Sequence, residues 1–463
     1  MNQVEIGLNQ LTSIVWSEAT ILVIFLSGIF FSLYLRIPQF SLFISSIKLL
    51  FKNSSKDRKS GEISQFQALC ASMSSSVGIG NIAGVAVAIS MAGPGAIFWM
   101  WVTGILGMAS QLVSVCLTMM YRNKVNSEFK GGPMYTIKNG LSKRFSIFSY
   151  LYALFVCFSS AGTGMFQANQ MASFAHLQFG IDQRISGLLI TILAGLVVYG
   201  GIKRIGAFTE KFVPFMVLTY FFACFGIMLH HYESFLPSLG LIFNHAFTGS
   251  AAVGGFAGAN VKYAIIQGVK RASYSNGATM GDLGLVHASA KSEPVAQSLI
   301  SMLGPFIDTL VVCSITALII LQTGVWTEAS GMQGIELTTK AFVKVYGHFG
   351  PWVLFVVIAF FAYSTMISYC HIGETGFGFL FGDKKSGLYR VTYLASLFLG
   401  STLVLNLVLN VMDICYVMLI IPNLLACFIL CKKVKTLLEL TVAKQTNKDA
   451  QTIVSLGIIN SKK

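Results

Sequence analysis

Long, uninterrupted apolar runs dominate this 463-residue chain and decide what it can fold into. A bilayer core needs about 20 apolar residues per helical span, so eleven spans would occupy about 220 to 240 residues, close to half of the chain. A transmembrane β-barrel would instead show short alternating segments. The sequence therefore predicts an all-α polytopic membrane protein, with apolar runs near 19–35, 66–90, 95–120, 148–172, 185–201, 212–229, 250–269, 295–321, 351–371, 391–409 and 413–431.

Composition agrees with a membrane protein and argues against an ordinary soluble domain. Apolar residues make up 54% of the chain and charged residues 11%, against roughly 25% charged in soluble domains. The nine cysteines stand singly within apolar runs, without C-x-x-C spacing or a histidine-rich partner pattern. We interpret them as packing residues and predict no disulfide framework or cysteine metal site.

The net charge of +14 is explained by membrane orientation. If the N-terminus is outside, all but three of the 32 Lys and Arg residues fall in five cytoplasmic loops and the tail, which is the positive-inside pattern. The exceptions are Arg184, Lys340 and Lys344. The sequence thus predicts an external N-terminus, a cytoplasmic C-terminus and contact with the lipid bilayer. Nucleic acid is excluded as a partner because the charges do not form one basic face.

Two of the apolar runs contain glycine clusters. The second run carries Gly78 and Gly80 just before Asn81, and the seventh carries GGFAG at 254–258. Glycine costs about 1 kcal/mol relative to alanine inside a helix, so both clusters predict unwinding, with close helix packing through small residues as the alternative. The two runs lie five spans apart, and a repeated unit of five spans must be inverted. This arrangement points to a secondary transporter with its site at the midplane.

The same interpretation divides the chain into four parts. They are an N-terminal span and loop (1–65), two five-helix repeats (66–233 and 234–431) and a cytoplasmic tail (432–463).

An intramembrane hydrolase is the alternative among enzymes, and a channel is the alternative among transport proteins. The hydrolase would need a nucleophile with a base, or metal ligands such as H-E-x-x-H, within the spans. His371 and Glu374 stand three residues apart, but no further ligand converges with them in the sequence. We therefore predict that the chain is not an enzyme. A channel would be distinguished by conductance far above carrier turnover rates.

Several motifs are too long and unusual to follow from apolar composition alone. They are VGIGNIAGVA (77–86), GPGAIFWMW (93–101), FQANQMA (166–172), GVKRASYSN (268–276) and FAYSTMISYCHIGE (361–374). With these motifs the chain resembles the alanine or glycine:cation symporters, also called the sodium:alanine symporter family. The resemblance implies a LeuT-type fold of eleven helices, one N-terminal helix preceding the 5+5 inverted repeat, in the bacterial inner membrane. It also implies symport of a small neutral amino acid with sodium and no organic cofactor. A proton-coupled carrier is the alternative, and the oligomeric state is left open.

The chain departs from the family pattern at four positions. The usual FSNEAG is YSNGAT here, so the acidic residue is replaced by Gly277. Ser114 stands in place of a frequent Glu, Tyr369 in place of the usual Trp, and Ile79 in place of a frequent Thr. Because Tyr369 and Ile79 are expected at or beside the pocket, these changes bear on the choice of substrate.

A zwitterionic amino acid at the midplane needs partners for its charges, since an unpaired charge in low dielectric costs several kcal/mol. A half-helix beginning near Gly80 would offer free N–H groups and a positive dipole end to the carboxylate. Gln167, on the fourth span, is predicted to line the substrate pocket. The alternative is that its side chain makes an ordinary hydrogen bond between helices. The predicted substrate-binding residues are Ser75, Ser76, Gly78, Gly80, Asn81, Gln167, Gly255, Phe256 and Tyr369.

Sodium favours oxygen ligands. The VGIGN element also resembles the first core helix of the neurotransmitter:sodium symporters, and this resemblance implies a sodium site. Its ligands would be carbonyls of the second run and a carbonyl with two hydroxyls of the ninth run. Without that pattern the hydroxyl pair is ordinary interhelical contact, and the serines of the second run could bond back to their own helix. The predicted sodium ligands are Ser74, Val77, Phe361, Ser364 and Thr365.

Asp308 is the carboxylate deepest within an apolar run. An ionisable residue at that depth is functional by default. One interpretation is structural: hydroxyls such as that of Thr309 satisfy the carboxyl group of Asp308. The other is functional: Asp308 supports a bound cation or binds a proton. Lys262 is the nearest predicted partner by depth.

Overall fold

The computed structural model describes residues 3–51, 61–125, 128–248, 261–328 and 334–455 and is built almost wholly of helices. A short antiparallel pair of strands, β1 (Asn123–Val125) and β2 (Glu128–Lys130), places Asn123 opposite Lys130. Two π-helical segments occupy Gly80–Gly84 and Phe306–Cys313. The α-helices of the described residues are α1 (Gln3–Val15), α2 (Glu18–Tyr34), α3 (Pro38–Ser41), α4 (Phe43–Phe51), α5 (Gln65–Ser76), α6 (Val85–Ala92), α7 (Gly95–Met120), α8 (Pro133–Gly140), α9 (Ser146–Phe179), α10 (Gln183–Val198), α11 (Gly201–His230), α12 (Phe235–Thr248), α13 (Val261–Asn276), α14 (Leu283–His287), α15 (Pro294–Ser301), α16 (Leu303–Pro305), α17 (Ser314–Gln322), α18 (Ile335–Tyr346), α19 (Gly350–Phe381), α20 (Ser386–Thr402) and α21 (Leu405–Ser455).

Within the described residues, seven helical stretches are long and apolar enough to cross a membrane, and the bent pair α5–α6 makes an eighth. Two other predicted runs correspond to the shorter helices α10, of 16 residues, and α20, of 17 residues. This architecture agrees with a polytopic helical membrane protein, whereas the count of eleven spans and the inverted repeat stay predictions. The seven stretches are Gln10–Tyr34, Gly95–Met120, Lys143–Phe179, Gly201–His230, Pro294–Gln322, Ile335–Phe381 and Leu407–Thr441.

Large apolar side chains cover the outer faces of α10 and α11. Leu189 is 55% exposed, Ile192 is 52% exposed and Phe222 is 65% exposed. Extended apolar surfaces of this kind mark contact with a membrane or a partner. On spanning helices they are the surfaces expected to meet lipid.

The VGIGN motif predicts a broken helix, and the structure has the break. A capping box begins α5: Gln67 N donates to Ser64 Oγ at 3.0 Å, and Ser64 N donates to Gln67 Oε1 at 2.9 Å. The helix ends at Ser76, and the helical segment that starts at Gly80 is bent from it by 52°. The break is therefore positioned from both sides, by a strong N-terminal cap and by the glycines that follow α5.

The seventh run differs from its prediction. Gly255 and Phe256 of the GGFAG segment lie outside the described residues. Within those residues, helix α13 continues past the predicted end at 269 to Asn276, and a non-helical loop follows before α14. Gly277 and Gly281 have φ of 58° and 79°, which suits glycine because other residues are strained there. The predicted end of the run is thus wrong, because helix α13 continues through a polar stretch that hydropathy does not follow.

Candidate functional site

A cavity of about 480 Å³ lies beside the break between α5 and α6. Its volume falls in the range typical of small-molecule sites. Helices α9, α13, α19 and α21 complete its wall. Five of the predicted substrate-binding residues line it: Ser75, Ser76, Gly80, Gln167 and Tyr369.

Gly78 and Asn81 do not line the cavity but organise the break. The N–H of Gly78 donates to Asn81 Oδ1 at 2.9 Å. The N–H of Ile79 donates to Gln167 Oε1 at 3.1 Å, so a cavity residue of α9 also holds the break. The N–H groups of the two residues that precede the half-helix at Gly80 are thus occupied by protein side chains.

Asp308 is fully buried in a cluster of neutral donors. Asn81 Nδ2 donates to Asp308 Oδ1 at 2.8 Å, Ser275 Oγ donates to Oδ2, and Thr309 Oγ1 donates to Oδ2 at 3.1 Å. Lys262 is not its partner, because it pairs with Glu18 at the protein surface. The predicted pairing of Lys262 with Asp308 is therefore wrong: depth along the sequence did not fix which way the lysine points. The carboxylate lies between the α5–α6 break and the end of α13, with no ion pair to another described residue.

The five predicted sodium ligands come together where α19 crosses α5. Ser74 Oγ donates to the Ser364 carbonyl at 2.7 Å. Thr365 Oγ1 lies 2.8 Å from the Phe361 carbonyl and 3.3 Å from the Val77 carbonyl. Ser364 Oγ lies 3.1 Å from the Phe361 carbonyl. The result is a buried set of neutral oxygens from two helices, the kind of donor set that suits a hard cation.

Tyr369 stands at one end of the cavity and joins it to a buried acid. Its hydroxyl donates to Asp282 Oδ2 at 3.1 Å. Asp282 belongs to the loop between α13 and α14 and is fully buried. A Cβ built on Gly277 would lie 3.3 Å from Asp282 Oδ1, so this carboxylate occupies the space beside the position where the family pattern carries its acid. Two departures from the pattern, at 277 and 369, thus meet at one side chain.

The other two departures lie outside the cavity lining. Ser114 Oγ donates to Asn423 Oδ1 at 3.0 Å, and Ile79 is fully buried in the core. Sequence reasoning missed Asp282, whose position as a lone acid in the uncharged stretch between Arg271 and Lys291 was a usable signal.

Sequence reasoning also missed several polar residues of the cavity wall. Arg271 lies with its guanidinium 5.7 Å from the centre of the Tyr274 ring. The hydroxyls of Thr163 and Tyr416 lie 2.7 Å apart. Arg271 had been counted only as part of the positive-inside pattern. Thr163, Arg271, Tyr274 and Tyr416 are among these additional lining residues.

Comparison with known proteins agrees with the family resemblance of the sequence. Residues 1–455 match the model of the sodium:alanine symporter family. The chain is 37% identical over 429 residues to the sodium/alanine symporter AgcS of Methanococcus maripaludis, covering 91% of this chain and 94% of that protein. It is 34% identical to the probable sodium/glutamine symporter GlnT of Bacillus subtilis, covering 94% of this chain and 90% of that protein.

Among solved structures, the chain resembles the manganese transporter of Eremococcus coleocola with a TM-score of 0.51. The two are 12% identical, and the match covers 80% of this chain and 82% of that one. This likeness concerns the fold alone. The relatives are named as symporters and transporters, which confirms the prediction that the chain is not an enzyme. The chain belongs to the sodium:alanine symporter family.

Proposed function

We propose that the protein is a secondary active transporter that carries a small neutral amino acid into the cell together with sodium. One observation carries this function: the cavity beside the α5–α6 break and the neutral oxygen cluster share the same short backbone segment. Ser75 and Ser76 line the cavity. Ser74 and Val77, on either side of them, contact Ser364 and Thr365 of α19.

Because the cavity and the oxygen cluster share residues 74–77, binding of the cation can be coupled to binding of the substrate. A cation held by the Val77 carbonyl would fix the end of α5, and the adjacent Ser76 would present its backbone to the substrate. Binding of either ligand would then order the segment that the other needs. Two ligands that favour one arrangement of a shared element bind cooperatively, and the effect is reciprocal.

The two ends of the cavity differ, which favours access from one side at a time. Val87 and Met91 extend the lining along α6, and Met91 is 43% exposed. The loop between α13 and α14 lies behind Tyr369. That loop is held by Tyr152, whose hydroxyl donates to the Met280 carbonyl at 2.9 Å, and by Asn423, whose Nδ2 donates to the Thr279 carbonyl at 2.8 Å. With the N-terminus outside, the end near Met91 is the external one and receives substrate.

Radiolabelled uptake into proteoliposomes tests the function. The panel is glycine, alanine, serine, glutamine and glutamate, with an inward sodium gradient or with choline in place of sodium at fixed pH. We expect uptake of at least one neutral amino acid that depends on the sodium gradient. No uptake of any amino acid would overturn the carrier function, and equal uptake in choline would overturn sodium coupling alone.

Proton coupling is the second candidate, because Asp308 is a buried carboxylate held only by neutral donors among the described residues. A proton would neutralise such a group as a cation would. A third arm of the same assay decides between the two: an inward pH gradient without sodium. Uptake driven by that gradient would assign coupling to the proton.

A further inference from the structure

We propose, resting on amino-acid transport as the proposed function, that Asp282 acts through Tyr369 to make the cavity select side chains that donate a hydrogen bond. Hydroxyl and amide side chains would be accepted, and acidic side chains would be rejected. Asp282 is a positioning residue in this scheme, because Tyr369 stands between its carboxylate and the substrate.

Tyr369 is the tyrosine that donates a hydrogen bond to the Asp282 carboxylate from another helix. Three tyrosines face the carboxylate: Tyr152 of α9, Tyr369 of α19 and Tyr416 of α21. Tyr152 donates to the Met280 carbonyl. Tyr416 lies 2.7 Å from the Thr163 hydroxyl and also interacts with the hydroxyl of Tyr369. Tyr369 donates to Oδ2 at 3.1 Å, and the adjacent N–H of Leu283 lies 3.0 Å from Oδ1.

No cation compensates Asp282 among the residues that the structure describes. His287, the titratable group on α14, lies 2.8 Å from Gln297 Nε2 instead. A buried carboxylate without a countercharge holds its hydrogen-bond donors tightly, because losing one leaves part of the charge unpaired. The direction of the bond from Tyr369 is therefore determined by Asp282.

The direction of the Tyr369–Asp282 hydrogen bond decides whether the Tyr369 hydroxyl acts as a donor or as an acceptor toward a substrate. A phenol has one O–H proton, and when it is donated to Asp282 the oxygen of Tyr369 can only accept. Tyr369 lines the cavity, and in this proposal its oxygen is the acceptor offered to the substrate. A serine hydroxyl or a glutamine amide N–H complements this acceptor. A glutamate side chain would place a charged acceptor against the Tyr369 oxygen, and the Asp282 carboxylate lies on the other side of that oxygen.

The Asp282 carboxylate also takes the place of an acid that the chain lacks. Its Oδ1 lies 3.3 Å from where a Cβ on Gly277 would stand, and Gly277 has a φ of 58°. A residue with a side chain at 277 would press on Oδ1, so the carboxylate would have to shift by a few tenths of an ångström. The absence of a side chain at 277 and the hydroxyl at 369 are thus parts of one arrangement.

Competition of unlabelled glutamine and glutamate against the labelled amino acid that the wild type transports tests the inference. Glutamine and glutamate have nearly the same shape, so their ratio reports on the amide and the carboxylate. We expect the wild type to prefer glutamine, and Asp282→Asn or Tyr369→Phe to lower the preference about fivefold or more. The double variant should lose no more than the larger single change, because the two residues act as one unit.

Tyr152→Phe is the matched control, because it removes another hydroxyl next to Asp282 that does not line the cavity. It should lower thermal stability and leave the glutamine-to-glutamate ratio unchanged. If Asp282→Asn does not fold, Tyr369→Phe answers the same question. Equal binding of the two amino acids by the wild type, or an unchanged ratio in Tyr369→Phe, would overturn the inference. Failure of the wild type to transport any amino acid would instead overturn the proposed function.

Discussion

The hydroxyl of Thr365 on α19 lies 3.3 Å from the carbonyl of Val77, at the residue where α5 ceases to be helical. The two residues are 288 positions apart in the chain. Their contact joins the helix proposed to complete a cation site to the backbone that lines the cavity. The strength of coupling between cation and substrate should therefore depend on this contact.

Replacing Thr365 by alanine should raise the sodium concentration for half-maximal uptake about tenfold, because a hydrogen-bond-type interaction with a charged group is worth about 1.5 to 3 kcal/mol. Protein abundance should change less than sodium affinity. Thr365→Ser keeps the hydroxyl and should restore most of the affinity. Thr375→Ala is the matched control on the same helix, since the hydroxyl of Thr375 bonds the His371 carbonyl away from the oxygen cluster. An unchanged half-maximal sodium concentration in a stable Thr365→Ala protein would remove Thr365 from the site.

Alanine at position 78 should damage the site more than the fold. A Cβ on Gly78 would lie 2.7 Å from Gln167 Nε2, at the end of a flexible side chain, and 2.8 Å from Thr365 Oγ1, on a stiff β-branched side chain held by hydrogen bonds. Displacing them disturbs the substrate cavity and the oxygen cluster together. We expect the half-maximal concentrations of both amino acid and sodium to rise, with a thermal midpoint within a few degrees of the wild type. Gly304→Ala meets no atom within 4 Å and serves as the control. A change confined to one ligand would contradict the shared position of Gly78.

Tyr369→Trp should shift preference toward glycine and alanine and away from larger or more polar side chains. An indole fills more space than a phenol and removes the acceptor oxygen. One methylene of fit is worth about 1 to 3 kcal/mol of discrimination. The measurement is competition of glycine, alanine, serine and glutamine for uptake. The same profile in wild type and variant would show that Tyr369 does not form the selectivity wall.

Asp308→Asn should raise the half-maximal sodium concentration several-fold. The substitution keeps the shape and an acceptor oxygen for Asn81 but removes the negative charge that favours a nearby cation. Thr309→Ser, which keeps a hydroxyl next to Asp308, is the control. If sodium dependence is normal in Asp308→Asn, the carboxyl group has a structural role satisfied by its hydrogen bonds.

Preference for glutamine over glutamate should fall as the pH is lowered through about 6. Asp282 lies in the loop between α13 and α14, and burial raises its pKa to about 6. Above that pH the carboxylate is ionised and accepts from Tyr369; below it the carboxyl is protonated and can donate, which frees the Tyr369 proton for the cavity. The glutamine-to-glutamate ratio measured from pH 8 to pH 5 should show this step in the wild type, and Asp282→Asn should abolish it. A ratio independent of pH in the wild type would contradict the assignment.

The apolar runs and the VGIGN motif were enough to predict a helical, multi-span membrane protein with a break near Gly78. The grouping of Ser74 and Val77 with Ser364 and Thr365 also came from motifs, and the structure brings these residues together. Such features are readable because they are local: a long apolar run must be a span, and adjacent glycines weaken a helix wherever they occur.

Other features were decided by tertiary structure. Helix α13 ends at Asn276, and the side chains of Ser275 and Asn276 are paired there with Asp308 and Thr309, contacts that local composition does not indicate. Asp282 meets Tyr369 only because folding brings α19 to it. The sequence by itself determined which segments are apolar enough to cross a membrane and where helix α5 weakens, since apolar length and backbone freedom are properties of single segments. Which buried polar group meets which partner was decided only by the packing of helices distant in the chain, because a buried donor or acceptor must find its partner in three dimensions.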